Sequence, residues 1–530
     1  MTVGTSGPGD ARAPSGERPI RAAEVVGALS LATDLGTGQP LEHALRTAVL
    51  AVRLGELAGA SAKELVDTYY VALLHASGCT SNGHEAALLY GDDIAHRAAF
   101  YLIDTTNPAE VLGFYRAHIG AGQPPEVRAA LIEDAIANAG PRARDAFATM
   151  CEIAQRFARW LELDSTISSA LEFVFARWDG RGFPDVRGDA IPLPMRLLHV
   201  ARDISLFLSA AGPEEARSVL ERRTGTAYEP RLAEIALRNL DEILGELDET
   251  RMWEQMLEVE PFPQAWIGDE RVDAAFMAIA VLTGLKSPWL REHSTGVADL
   301  AEAAAWRLGL PATSVTFVRR AALAHDLGRV GVSNAIWEKP ARLGFGEWER
   351  VRLHPHFTER AFAQSQELAQ IGILAGSHHE RLDGSGYHRG TRAPGLGQAA
   401  RILAAADCYA AMREARPYRP ALAAAAAEAE LLQEAAAGRL DPEAVDAVLV
   451  AAGHRVSQRP RELPSGLTQR ELEILLVLAR GKSNQQIAAD LRISAKTVGN
   501  HVQHVYEKTG VRSRAAATLW AFEHDLVRST

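Results

Sequence analysis

From Ile20 onward, Leu, Val and Ala recur at helical spacing, and runs with the period-2 alternation of strands are scarce. The pattern predicts an all-α protein. Residues 1–20, rich in Gly, Pro, Ser and charge, lack that period and read as a disordered tail. A helical domain is expected over residues 21–250 and a second over 267–455. Between them, residues 251–266 hold Glu258-Val259-Glu260-Pro261-Phe262-Pro263, a Pro-broken acidic stretch that reads as a linker. A further linker is expected at 456–465, before a small helical domain at 466–530.

That last segment carries explicit helix signals. Thr468 with Glu471 makes a capping box for an amphipathic helix. A helix from about Asn484 to Leu491 follows, and Ser494 caps the next one. On that next helix Val498, Val502 and Val505 share one face and should point inward.

The two larger domains share a pattern. His43 and His293 are 250 residues apart, as are His75 and His325. Val71-Ala72-Leu73-Leu74-His75-Ala76-Ser77-Gly78 mirrors Ala321-Ala322-Leu323-Ala324-His325-Asp326-Leu327-Gly328. Arg177-Trp178-Asp179-Gly180-Arg181-Gly182 mirrors Arg381-Leu382-Asp383-Gly384-Ser385-Gly386. Two related domains in tandem are expected, with extra helix inserted between His75 and Asp179 of the first.

Composition narrows the picture. At 530 residues, three or four units are expected. Three widely spaced cysteines exclude a disulfide framework and a thiolate zinc site. No apolar run is long enough to span a bilayer, and the charged N-terminal stretch is unlike a signal peptide, so a soluble cytoplasmic protein away from membranes is expected. The net charge of −11 disfavours nucleic acid as a partner, but residues 463–530 reverse the sign with nine Lys/Arg against six Asp/Glu.

The candidate chemistry lies between Leu323 and Asp407. It comprises the adjacent His325-Asp326, then His354-Pro355, then His378-His379-Glu380-Arg381-Leu382-Asp383-Gly384-Ser385-Gly386-Tyr387, then Asp407. Imidazoles and carboxylates delivered from several segments suit a metal-bearing pocket. Within that set the Asp326 carboxylate has two oxygens and could be shared between two cations. Among the glycines, Gly384 and Gly386 fit either a turn needing positive φ or a loop curled close to a ligand.

This ordered set resembles the HD-GYP family of metal-dependent cyclic-dinucleotide phosphodiesterases. The resemblance implies a helical bundle with His293, His325, Asp326, His354, His378, His379 and Asp407 as metal ligands. It casts Asp326, His325 and Arg329 as the catalytic set, and Arg329, Asp383, Gly386, Tyr387, Arg416 and Arg419 as substrate-binding. Two divalent ions are expected; iron or manganese suits the mixed donors best, and zinc also fits.

Several positions depart from the family pattern. His388 replaces the proline of Gly-Tyr-Pro, Thr358 stands where a glycine follows His-Pro, and Trp289 stands where some members place a carboxylate for a third metal. The first domain has lost the ligands: Ala76 stands for the bridging aspartate, and Val174, Phe175 and Ala176 stand for His-His-Glu. It is expected to be a metal-free copy.

The C-terminal segment, with Gly481-Lys482-Ser483-Asn484 and Lys508-Thr509-Gly510-Val511-Arg512 around the two helices above, resembles the LuxR-type helix-turn-helix. The resemblance implies a homodimer on double-stranded DNA, with Lys496, Thr497, Asn500, His501, Lys508 and Arg512 at the nucleic acid. The expected function is a transcriptional regulator whose second domain hydrolyses a cyclic dinucleotide, cyclic di-GMP first, and couples nucleotide state to DNA binding. The alternative is a non-catalytic metal- and nucleotide-binding sensor, or a scaffold, acting on the same DNA-binding domain.

Overall fold

Helix Ala22–Thr37 is buried on nearly every face in the computed structural model, which describes residues 20–121, 123–455, 464–524 and 526. Its Val, Leu and Ala residues run all round the helix, which only an enclosed helix tolerates. It packs against helices of the first half and against the turn Leu327–Gly331 and helix His354–Phe362 of the second. The two halves therefore share a core, and residues up to His454 form one compact unit.

The expected linker at 251–266 is corrected by this packing. Helix Met252–Glu258 buries Met252, Trp253 and Met256. Glu260 is buried and paired with the guanidinium of Arg21 and, at 2.6 Å, with the hydroxyl of Tyr70. Residues Trp266–Ile267 pair antiparallel with Ile20–Arg21, two-residue strands in an otherwise helical fold. The acidic, Pro-rich composition reads as linker only because its partners lie far away in sequence.

The halves also meet at a buried ion cluster. Asp93 Oδ1 accepts from the Ser333 hydroxyl and the Asn334 amide, both at 2.8 Å. Its Oδ2 faces Lys286 Nζ at 3.3 Å and Arg97 Nη1 at 3.0 Å. Between His75 and Asp179 the chain runs through helices from Gly83–Tyr90 to Ala139–Trp160.

The C-terminal unit is a separate helical body around Leu467, Ile474, Leu475, Ile487, Val498, Val505 and Ala521. Helix Asn484–Leu491 and helix Ala495–Thr509 meet through Arg492 in the left-handed region. The expected tail at 1–20, apart from Ile20, and most of the expected linker at 456–465 lie outside the described residues. No described helix is long and apolar enough to cross a membrane.

Candidate metal centre

The ligand-type side chains stand mostly at helix ends. His325 and Asp326 follow helix Ala312–Ala324, His293 opens helix His293–Arg307, and His354 opens helix His354–Phe362. His378 and His379 come just after helix Ala369–Ala375, and Asp407 projects from the middle of helix Gln398–Arg413. Two close approaches bring these ends together. A Cβ on Gly328 would lie 2.0 Å from the carbonyl oxygen of His354, and one on Gly386 would lie 2.4 Å from that of His379. Only glycine fits either place. Gly384, at φ +80°, supplies the turn.

Asp326 is the hub. Its Oδ2 lies 3.5 Å from Nε2 of His293 and 3.5 Å from Nε2 of His325. Its Oδ1 lies 3.5 Å from Nε2 of His354 and 3.7 Å from Nε2 of His378. One carboxylate thus presents each oxygen to a different pair of imidazoles. Asp407 closes the ring, with Oδ1 3.2 Å from His293 Nε2 and Oδ2 3.7 Å from His379 Nδ1. All these groups are buried except His379, which is half-buried.

The ring tautomers follow from local geometry. Nδ1 of His325, His354 and His378 contacts the carbonyl oxygens of Ala322, Val351 and Ala375 at 2.6, 2.6 and 2.7 Å. A carbonyl only accepts, so each Nδ1 carries the proton and each neutral Nε2 is left with a lone pair. Nε2 of His354 and His378 are nevertheless 3.1 Å apart, and Nε2 of His325 is buried without a hydrogen-bond partner. Burial holds His354 well below the usual imidazole range and brings His378 down to about 4, so neither ring takes a second proton near neutrality. A cation between them would satisfy lone pairs that converge in this way. The donor set fits divalent metal.

The carboxylates are held ionised. Burial works against Asp326, but the Arg329 guanidinium beside it leads the groups that outweigh burial and keep its carboxyl well below the usual range. For Asp407 burial is likewise outweighed, chiefly by His293. Burial also opposes charge on His293, yet Asp407, Glu414 and Asp326 push its pKa up to about 9. Glu414 is a residue the sequence reading missed. Its carboxylate lies 3.0 Å from His293 Nδ1 and orients that ring from behind. Its one signal is its place two helical turns after Asp407.

The expected substrate residues divide. Arg329 Nη1 lies 2.6 Å from Asp326 Oδ2, and its guanidinium sits 3.9 Å above the Trp337 ring. Tyr387 covers His379, with ring centroids 4.6 Å apart. Arg416 is buried, donating to Glu414 at 2.7 Å and to the Trp289 carbonyl at 3.0 Å, so it braces the carboxylate behind His293. Two expectations are corrected. Asp383 is exposed and accepts from the Ser385 amide at 2.9 Å, so it shapes the loop rather than facing the cluster. The Arg419 guanidinium donates to the carbonyls of Ala411, at 2.5 Å, and Glu414, at 3.2 Å, capping the helix end. Thr358, the departure after His-Pro, bridges the ligand turn: its hydroxyl donates to the His325 carbonyl and accepts from the Gly328 amide, both at 2.9 Å. His356, two residues after His354, is exposed.

Residues 279–444 match the HD domain family, and residues 465–521 match the bacterial regulatory proteins of the luxR family. The chain is 30% identical over 426 residues to 3′3′-cGAMP-specific phosphodiesterase 3 of Vibrio cholerae, covering 79% of this chain and 92% of that relative. This chain belongs to the HD-GYP family. It is a metal-dependent phosphohydrolase fused to a LuxR-type helix-turn-helix domain. The crystal structure of the V. cholerae cyclic GMP-AMP phosphodiesterase V-cGAP3 superposes with a TM-score of 0.59 at 25% identity, over 83% of this chain and 99% of that one. The RpfG cyclic di-GMP phosphodiesterase response regulator of Xanthomonas campestris is 38% identical over 146 residues, 27% of this chain and 38% of that relative.

In the helix-turn-helix unit, Ser494 accepts from the Thr497 amide at 3.0 Å, and Val498, Val502 and Val505 are buried. Lys496, Asn500 and Arg512 are exposed, and Thr497 and His501 are half-buried. Lys508, also exposed, donates to Glu471 at 2.7 Å and ties its helix to the capping box of helix Gln469–Ala479.

Proposed function

We propose that the second half hydrolyses a 3′3′-linked cyclic dinucleotide and that its nucleotide state governs DNA binding by the C-terminal unit of a homodimer. The observation that carries the hydrolytic reading is the Asp326 carboxylate, each oxygen facing its own pair of imidazoles. That arrangement suits two divalent cations, iron or manganese before zinc. One set of donors would be His293, His325, Asp407 and one oxygen of Asp326. The other would be His354, His378, His379 and the second oxygen. Bound there, such ions supply Lewis acidity toward a phosphodiester and activate water. The chain's own residues do the rest. The Nδ1–carbonyl bonds fix the rings, Tyr387 walls the pocket, and the Arg329 guanidinium holds a nonbridging phosphate oxygen in a fork that lysine lacks.

Substrate choice rests on the relatives. The one matched along most of its length is named for 3′3′-cGAMP, while the cyclic di-GMP enzyme is matched over a shorter stretch. Cyclic GMP-AMP is therefore placed ahead of cyclic di-GMP. The first half is read as a metal-free copy. In support, a Cβ on Gly182 would lie 2.4 Å from the Phe175 carbonyl, and one on Gly78 2.0 Å from that of Met150, repeating the approaches of Gly386 and Gly328.

The test is turnover by purified protein loaded with manganese or ferrous iron, on 3′3′-cGAMP and cyclic di-GMP separately, with products resolved by chromatography. Linear or mononucleotide product absent from Asp326→Ala supports the reading. Tight binding of both nucleotides without product rejects hydrolysis in favour of a sensor.

A further inference from the structure

A cavity of about 380 Å³ in the N-terminal half lies where Val174 and Phe175 meet helix Leu193–Ala211. Along that helix runs Arg196-Leu197-Leu198-His199-Val200-Ala201-Arg202; along helix Gln398–Arg413 runs Arg401-Ile402-Leu403-Ala404-Ala405-Ala406-Asp407. Laid one on the other, they put Arg202 where Asp407 stands. The first half also keeps a histidine pair, His43 and His75, with ring centroids 6.3 Å apart, against 5.2 Å for His293 and His325. A guanidinium replaces a metal-binding carboxylate. The site has lost its means of holding cations but keeps positive charge of its own.

The cavity lining is unbalanced in charge. Arg144, Arg177, Arg181, Arg202 and Arg223 line it, and Asp203 is the one acid among the described lining residues. Asp203 is already engaged, by Arg202 at 3.1 Å, by Arg223 at 2.6 Å and by the Tyr228 hydroxyl. Arg181 pairs with Asp179 at 2.8 Å, and Arg177, 9% exposed, reaches Asp104 with Nη1 at 3.2 Å and Asp179 with Nε at 3.4 Å, while its Nη2 is buried without a partner. An unmet guanidinium N–H in a closed place costs free energy unless an acceptor arrives. The lining is also aromatic: Phe147 stacks on Phe175 at 4.2 Å and 20°, with Phe183 at 6.4 Å.

We propose that this cavity is a second, non-catalytic binding site for a phosphorylated nucleoside. The base would lie against Phe147 and the phosphate would meet Arg177 and Arg202, the charge-assisted fork that arginine makes with phosphate. The volume is near the lower end of small-ligand pockets, which suits a mononucleotide rather than a dinucleotide. The inference rests on neither turnover nor the metal centre.

Equilibrium dialysis of the full chain against labelled 5′-GMP and 5′-AMP tests it, with guanosine and inorganic phosphate as competitors. The expected result is saturable mononucleotide binding, unchanged in Asp326→Ala and about tenfold weaker in Phe147→Ala, the scale of one base–aromatic stack. Arg177→Met should weaken it at least as much, and neither guanosine nor phosphate alone should compete well. Phe147 is only half-buried, so Phe147→Ala decides the matter if Arg177→Met fails to fold. Absence of saturable binding by both mononucleotides overturns the proposal, as does binding lost in Asp326→Ala and untouched by Phe147→Ala.

Discussion

Arg329 holds Asp326 by the same carboxylate oxygen that faces His293 and His325, with Nη1 2.6 Å from Oδ2. A cation held by that oxygen would compete with Arg329 for it, leaving the guanidinium, kept at the pocket by Trp337, for a substrate phosphate. Arg329→Gln should therefore retain the wild-type metal content while kcat/KM on the cyclic dinucleotide falls by about 10²-fold, the scale of one lost charge-stabilising donor. Elemental analysis beside steady-state kinetics checks both parts. Loss of metal together with activity would instead make Arg329 a support of the ligand cluster.

Glu414 orients His293 without touching the space the ligands enclose. Glu414→Gln should weaken metal affinity by roughly 10–100-fold, as the loss of a carboxylate behind a ligating histidine generally does. Competition with a fluorescent chelator measures it. Saturating metal should restore most of the turnover, which a directly reacting carboxylate would not permit.

Asp93 couples the halves and responds to acid. Burial opposes its ionisation, but Lys286 and Arg97 outweigh it and bring its pKa down to about 2. A carboxyl depressed in the folded state stabilises fully above its unfolded pKa, about 3.9, and loses that contribution as pH falls from there through 2. Roughly 2 kcal/mol of stability should disappear over that interval. Urea melts of wild type and Asp93→Asn between pH 2 and 5 check it: the variant should start lower and show a flatter acid limb.

In the helix-turn-helix unit the two lysines should part company. Lys496→Ala should weaken DNA binding and lower the salt dependence by about one phosphate contact. Lys508→Ala should leave that slope unchanged and lower the melting temperature, because Lys508 is spent on Glu471. Binding titrations at several salt concentrations separate these outcomes.

Much of the metal centre was legible because its residues are written in short motifs. His325-Asp326, His354-Pro355 and the His-His-Glu run each put ligand-type side chains at a helix end, and few other uses require that clustering. The bounds of helix Asn484–Leu491 were legible through its caps, Ser483 and the turn before Ser494. What escaped depends on partners remote in sequence. Glu260 finds Arg21 across 239 residues, so the stretch around it read as linker. Lys508 looked available for phosphate because Glu471, which it contacts, lies 37 residues away, whereas Arg419 turns back on the carbonyls of its own preceding helix end, which a list of charges does not show. Thr358 looked like a lost glycine, although its hydroxyl braces the very turn that carries Asp326.

The claim on which the account rests is that Asp326 is shared by two cations. Elemental analysis of metal-replete, desalted protein tests it directly, with wild type beside Asp326→Ala. Wild type should carry close to two equivalents of iron or manganese per chain and the variant less than one. Wild-type protein that folds normally yet retains no stoichiometric metal, or a variant that retains both equivalents, would contradict it.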